Sequence, residues 1–299
     1  MNFLAKNFRG TGVAVVTPFN EDFSIDTESI ISLVDFLIEN GVDYIVVQGT
    51  TGESSTLNKS EKNLSRTAFV NANKGRVPMI LGLGSNDTLS IVNDLRSSQF
   101  SGFSAILSVT PFYNKPSQNG LYKHYSAISK ASPLPIILYN VPSRTGVNML
   151  AKTTIEIASN HSNIIGIKEA CGDLNQVKQL IEKRPKDFMI ISGDDETAVK
   201  TVLLGGDGVI SVAAGCIPKY FTEIIRLALN KNEDLSQKKL NQIQLLLKLL
   251  FAEGNPSGIK SALSSMNLCK NVLRLPLTKV GKDLDLKIKK TITSIYKQQ

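Results

Sequence analysis

The chain has 299 residues, 42% hydrophobic and 20% charged, enough for one large α/β domain or two average ones with a substantial core. Lys and Arg exceed Asp and Glu by 34 to 26, but part of the surplus sits in the tail (Lys282, Lys287, Lys289, Lys290, Lys297) and no basic stretch alternates with aromatics; nucleic-acid binding is disfavoured, and attraction of small carboxylates explains the charge equally well. Cys171, Cys216 and Cys269 lie far apart, His124 and His161 are the only histidines, residues 1–9 hold no apolar export segment and no stretch nears the roughly 18 apolar residues of a membrane span, which disfavours disulfides, zinc, histidine clusters and membranes and fits a reducing cytoplasm.

Short β-branched runs alternate with longer amphipathic stretches. Strands are predicted over 13–17, 44–48, 79–83, 105–109, 136–139, 164–168, 188–192 and 208–212. Helices fall between them, such as 28–39, closed by Asn40-Gly41, and 59–73, with Asn58 as its N-cap. Leu204-Gly205-Gly206-Asp207-Gly208 reads as a helix stop and a turn into the last strand. Near-continuous apolar strands in strict βα alternation indicate a parallel sheet buried on both faces. Eight such units fit a (β/α)8 TIM barrel better than an open doubly wound sheet, which typically has about six strands. The barrel is assigned to residues 1–230. Residues 231–299, with helices over 236–251 and 257–265, form a C-terminal helical extension packed on the barrel or on a neighbouring subunit.

In such a barrel the C-terminal strand ends face the active site. Lys168 ends the apolar run Ile164-Ile165-Gly166-Ile167, a place where a solvated lysine is rare, so its amine is a candidate for Schiff-base chemistry with a carbonyl compound. The bland alternative is a buried lysine paired with Glu169. The second strand runs into Gly49-Thr50-Thr51-Gly52-Glu53-Ser54, whose small residues let backbone N–H groups approach a carboxylate; a tight turn capping the next helix is the other reading. The fourth strand leads to Thr110-Pro111-Phe112-Tyr113-Asn114-Lys115-Pro116, a rigid aromatic loop suited to an active site, an interface or plain packing. The fifth ends in Tyr139, able to shuttle protons beside Lys168, and is followed by Arg144, whose fork suits a carboxylate but which is equally a solvated loop charge. Ser192-Gly193-Asp194-Asp195 either borders a substrate or caps a helix. Gly82-Leu83-Gly84 lacks the third glycine of a dinucleotide fingerprint, so no nucleotide cofactor is expected.

Taken in order, GTTGES, PFYNKP, LYNVPSRTG, IIGIKEA, SGDD and GVISV resemble the 4-hydroxy-tetrahydrodipicolinate synthase (dihydrodipicolinate synthase) family, within the class I pyruvate-dependent aldolase superfamily. The likeness runs from about Gly12 to LRLPLT at 273–278. The resemblance implies a lyase of diaminopimelate and lysine biosynthesis in which Lys168 forms a Schiff base with pyruvate, and the derived enamine attacks L-aspartate 4-semialdehyde. It implies a proton relay of Tyr139, Thr50 and Tyr113, the last reaching a neighbour's site across a dimer interface. The backbone amides of Thr50 and Thr51 would hold the pyruvate carboxylate, Arg144 that of the semialdehyde, and Gly193 and Ile210 would line the pyruvate end. No cofactor beyond the covalent adduct is implied, and a homotetramer of two tight dimers is.

Departures from the family pattern concern regulation. Lysine-inhibited members carry histidines where this chain has Lys59 and Lys62, a glutamate in place of Ser90 and a tyrosine in place of Phe112, while Ser54, Ser55 and Asn86 remain. Added cations and a lost carboxylate weaken a cationic ligand, so little feedback inhibition by L-lysine is expected. The nearest rival is N-acetylneuraminate lyase or a related keto-deoxy-sugar-acid aldolase. These share the lysine and tyrosine, but Arg144 suits a short carboxylate-bearing substrate better than a polyol. A barrel that has lost activity and serves as a binding subunit sits poorly with the intact set of Lys168, Tyr139, Tyr113, Thr50 and Arg144.

Overall fold

The computed structural model describes residues 7–297. Of the predicted features, residues 1–6 of the amino-terminal stretch and 298–299 at the end of the extension lie outside the described residues. Eight parallel strands pair in sequence order and close into a barrel: β1 (Gly10–Ala14), β2 (Tyr44–Val47), β3 (Met79–Gly82), β4 (Ala105–Val109), β5 (Ile136–Asn140), β6 (Ile164–Glu169), β7 (Met189–Ser192) and β8 (Gly208–Ser211), with β8 back against β1. The helices are α1 (Thr27–Glu39), α2 (Lys59–Asn73), α3 (Thr88–Ser97), α4 (Gln118–Ala131), the single turn α5 (Pro142–Thr145), α6 (Ala151–Asn160), α7 (Leu174–Lys183), α8 (Ala198–Leu204) and α9 (Pro218–Leu229). Then come α10 (Glu233–Phe251), α11 (Ser257–Ser265) and α12 (Lys282–Lys297). The fold is the predicted TIM barrel.

Local chemistry sets these boundaries. Asp26 accepts the Ser29 N–H to start α1, and Asn58 with Glu61 forms a reciprocal capping box on α2. Gly205, at φ +119°, ends α8. Helix α10 begins a turn before the predicted 236 because Asn232 caps it by accepting the Leu235 N–H. The first strand also starts earlier than the predicted 13–17. Its leading glycines lack β propensity, yet packing requires them: a Cβ on Gly12 would sit 2.1 Å from the Tyr44 ring. That ring fills the barrel floor edge-to-face with Phe8, its hydroxyl donating to the Val209 carbonyl at 3.2 Å.

Two apolar layers result. Ala14, Tyr44, Val46, Ile80, Leu107, Ile137 and Ile191 point into the barrel, while Val13, Ile45, Leu81, Ile106, Leu138 and Ile167 meet the helices. After residue 230 the chain lays α10 on α8 and α9, then α11 and α12 on α10. No helix among the described residues is long and apolar enough to cross a membrane.

Candidate active site

Strand register places the central pair. Tyr139 pairs with Lys168 and Asn140 with Glu169 across β5 and β6. Because neighbours on a strand face opposite ways, the first pair turns into the barrel and the second outward. Lys168 is 6% exposed, with its nitrogen 4.4 Å from the centre of the Tyr139 ring. It forms no ion pair or side-chain hydrogen bond among the described residues. Pairing with Glu169 is therefore ruled out. That carboxylate accepts from Asn140 at 2.9 and 3.0 Å, from Gln176 at 2.9 Å and from the Cys171 N–H at 2.9 Å. Burial nevertheless pushes the Glu169 carboxyl up, and pushes the adjacent Cys171 thiol up to about 12, so this cysteine is a poor nucleophile at neutral pH.

Gly193, just past β7, gives Lys168 its space: a Cβ there would lie 2.9 Å from the lysine Cε and 3.0 Å from its Cγ. Ile210, 1% exposed, joins Tyr139 in the inward-facing apolar cluster. The SGDD segment caps no helix. Asp194 accepts from the Thr197 N–H and hydroxyl, and Asp195 accepts the Val212 and Ala213 N–H groups at 3.1 and 2.8 Å, fastening the exit of β8. Burial pushes Asp195 up to about 6.

Against Tyr139 opens a cavity of about 360 Å3, lined by Thr50, Ser54, Ser55, Lys62, Phe112, Tyr139 and Arg144 among others. Thr50–Gly52 forms one 3-10 turn in which Gly52 and Glu53 donate back to Gly49 and Thr50, while the N–H groups of Thr50 and Thr51 have no acceptor among the described residues. Close approach of β3 to this loop requires Gly82, where a Cβ would meet the Gln48 carbonyl oxygen at 2.3 Å. Thr51 is buried next to the cavity-lining Thr50, and its hydroxyl accepts from Asn255 Nδ2 at 3.0 Å. The Asn255 carbonyl in turn accepts from Arg144 at 3.5 Å, so one residue of the extension touches both expected carboxylate holders. Thr50, Tyr139 and Arg144 line the space itself, and the Lys168 amine adjoins it behind the Tyr139 ring, so a guanidinium, a phenol, two free N–H groups and an unpaired amine lie within one neighbourhood, as carboxylate-guided carbonyl chemistry requires.

Tyr113 is not brought to this cavity. It stands 84% exposed on its loop at φ +72°, beside Phe112, whose carbonyl accepts from Asn86. Sequence reasoning missed Asn255, Glu53 and Lys260 as supports of the site. Glu53 lay unread inside GTTGES, and a lone lysine among Ile259, Ala262 and Leu263 was a readable sign of a buried ion pair.

Comparison with known proteins identifies the family. Residues 7–295 match the model of the dihydrodipicolinate synthetase family. The 4-hydroxy-tetrahydrodipicolinate synthase of Flavobacterium psychrophilum is 48% identical over 281 residues, covering 93% of this chain and 94% of that protein. The crystal structure of dihydrodipicolinate synthase from Thermotoga maritima superposes with a TM-score of 0.93 at 38% identity, over 96% of this chain and 98% of that one. The chloride-inhibited dihydrodipicolinate synthase of Acinetobacter baumannii, crystallised with pyruvate, gives 0.92 at 41% identity, over 95% and 98%. With the match spanning nearly the whole chain and the barrel shared throughout, this protein belongs to the dihydrodipicolinate synthetase family of lyases.

Proposed function

We propose that the chain condenses pyruvate with L-aspartate 4-semialdehyde, the activity after which its relatives are named, on the diaminopimelate route to lysine in the cytoplasm. The observation that carries this reading is the inward-facing Tyr139 and Lys168 pair, with an amine that has no carboxylate partner. The Lys168 nitrogen adds to the keto carbon of pyruvate and water leaves, giving a Schiff base. Loss of a methyl proton then gives an enamine, whose carbon adds to the aldehyde carbon of the second substrate while the aldehyde oxygen takes up a proton. Tyr139 and Thr50 shuttle these protons.

The free N–H groups of Thr50 and Thr51 hold the pyruvate carboxylate, with Gly193 and Ile210 lining that end, and Arg144 holds the carboxylate of the semialdehyde. A pyruvate complex in the related Acinetobacter enzyme supports the first substrate. No cofactor or metal takes part. Tyr113 completes the relay in a partner's site within a homotetramer of two tight dimers, a reading supported by its exposure outside its own cavity. Lys62 and Phe112 line the same cavity as Ser54 and Ser55, and a cation there repels a cationic effector, so L-lysine at sub-millimolar concentration is expected to leave the rate nearly unchanged. Clear inhibition in that range would overturn the regulatory reading.

The test couples product formation from the two substrates to its NADPH-dependent reductase, with Lys168→Ala as control. Activity lost in the control supports the synthase reading. No activity, with pyruvate still trapped on Lys168 by borohydride, moves the reading to a keto-deoxy-sugar-acid aldolase.

A further inference from the structure

We infer that the buried ion pair between Glu53 and Lys260 is a positioning device for the 49–53 loop, which makes helix α11 of the C-terminal extension part of the pyruvate-binding half of the site. The inference rests on the reading that this loop grips a carboxylate.

Both side chains are wholly buried. Glu53 directly follows the turn carrying the two free N–H groups and is held at φ +51°, in the left-handed region that a non-glycine residue leaves unless something fixes it. Its Oε1 accepts from the Lys260 ammonium at 2.5 Å and its Oε2 from the Arg274 N–H at 3.1 Å. The same ammonium donates to the Val272 carbonyl at 2.8 Å and lies 4.2 Å from the centre of the Phe19 ring. Two acceptors and one aromatic face thus use its three N–H directions. On the barrel side the Thr17 hydroxyl donates to the Gly52 carbonyl at 2.7 Å. The loop is therefore tied to the segment after β1 from one side and to α11 and the 272–274 segment from the other.

Both side chains are wholly buried and their polar groups are taken up by each other, the Arg274 N–H and the Val272 carbonyl, so the pair acts through the loop and not on substrate. Well-packed apolar residues fill such a position at no loss of stability, so stability alone does not account for a fully buried pair, and fixing one loop geometry does. A displacement of the loop tilts the Thr50 and Thr51 N–H groups off the carboxylate while leaving Lys168, on β6, untouched. The pair should then control how tightly pyruvate is held and not how fast the bound molecule reacts.

Borohydride trapping of pyruvate at Lys168, titrated with pyruvate, reads this directly. In the charge-neutral double variant Glu53→Gln/Lys260→Met, the half-saturating pyruvate concentration should rise about tenfold or more. Trapping at saturation and the KM for the semialdehyde should stay within about twofold of the wild type. Should that variant not be recovered folded, Glu53→Asp, which keeps the charge but shortens the reach, carries the test with an expected rise of about threefold. An unchanged half-saturation in either folded variant overturns the inference. Failure of the wild type itself to trap pyruvate overturns instead the reading of the site on which it rests.

Discussion

Lys168 and Lys260 are both buried at the same end of one barrel, yet they are opposites. Lys260 meets a carboxylate, a carbonyl and a ring face, all within a few ångströms. Burial pushes its ammonium down from the usual lysine value, and Glu53 pulls it back. Lys168 has a phenol ring beside it and no carboxylate, because strand alternation sends Glu169 to the outer face, where amide donors hold it. A buried cation with its counter-ion holds parts together. A buried amine without one is left free to react with what enters the cavity.

Four substitutions break or sharpen that contrast. The largest effect is expected at Lys168, where Ala should lower kcat/KM in the coupled assay by at least about a thousandfold. The same variant should unfold in urea no earlier than the wild type, since burying an amine without a partner gives no stability. Lys260→Met should reverse the pattern. It strands the Glu53 carboxylate, and urea unfolding should register a loss of about 3–5 kcal/mol. Next comes Tyr139→Phe, which keeps the ring over Lys168 but removes the proton-shuttling hydroxyl; kcat should fall by about a hundredfold with little change in stability.

The smallest effect concerns a buried carboxylate that has no lysine. Asp195 titrates at about 6 in the folded chain, against an ordinary 3.8, with burial the main cause and the charge of Asp194 adding to it. The folded state therefore keeps a proton that the unfolded state releases. This contribution to stability is complete below about pH 3.8 and disappears as pH rises through 6. Relative to Asp195→Asn, the wild type should lose about 2 kcal/mol between pH 4 and pH 7 in urea titrations. A difference that stays flat over that range would mean the carboxylate finds a counter-charge as Glu53 does.

Much of this was legible in the sequence, and for physical reasons. Apolar strand runs separated by amphipathic helices marked the barrel, and Lys168 stood out because a charge ending such a run needs a purpose. The glycines of β1 hid its true start, because Gly10 yields space to Asp43 and Gly12 to Tyr44, more than thirty residues away. Gly193 was legible as part of a segment after the seventh strand that borders a substrate or caps a helix, but its contact with the lysine stem is a tertiary fact. Asp195 was readable as a helix cap, but its carboxylate spends itself on the N–H groups after β8. Glu53, Asn255 and Lys260 escaped notice because each is ordinary alone. Their partners lie about two hundred positions off in the chain, and only the closing of the extension over the loop after β2 brings them together.

The contrast between the two lysines is tested most directly by incubating the native protein with pyruvate and borohydride, digesting it and locating the reduced adduct by mass spectrometry. One adduct is expected, on the peptide that carries Lys168, with the Lys260 peptide unmodified. An adduct on Lys260, or none on Lys168 at saturating pyruvate, would contradict that contrast.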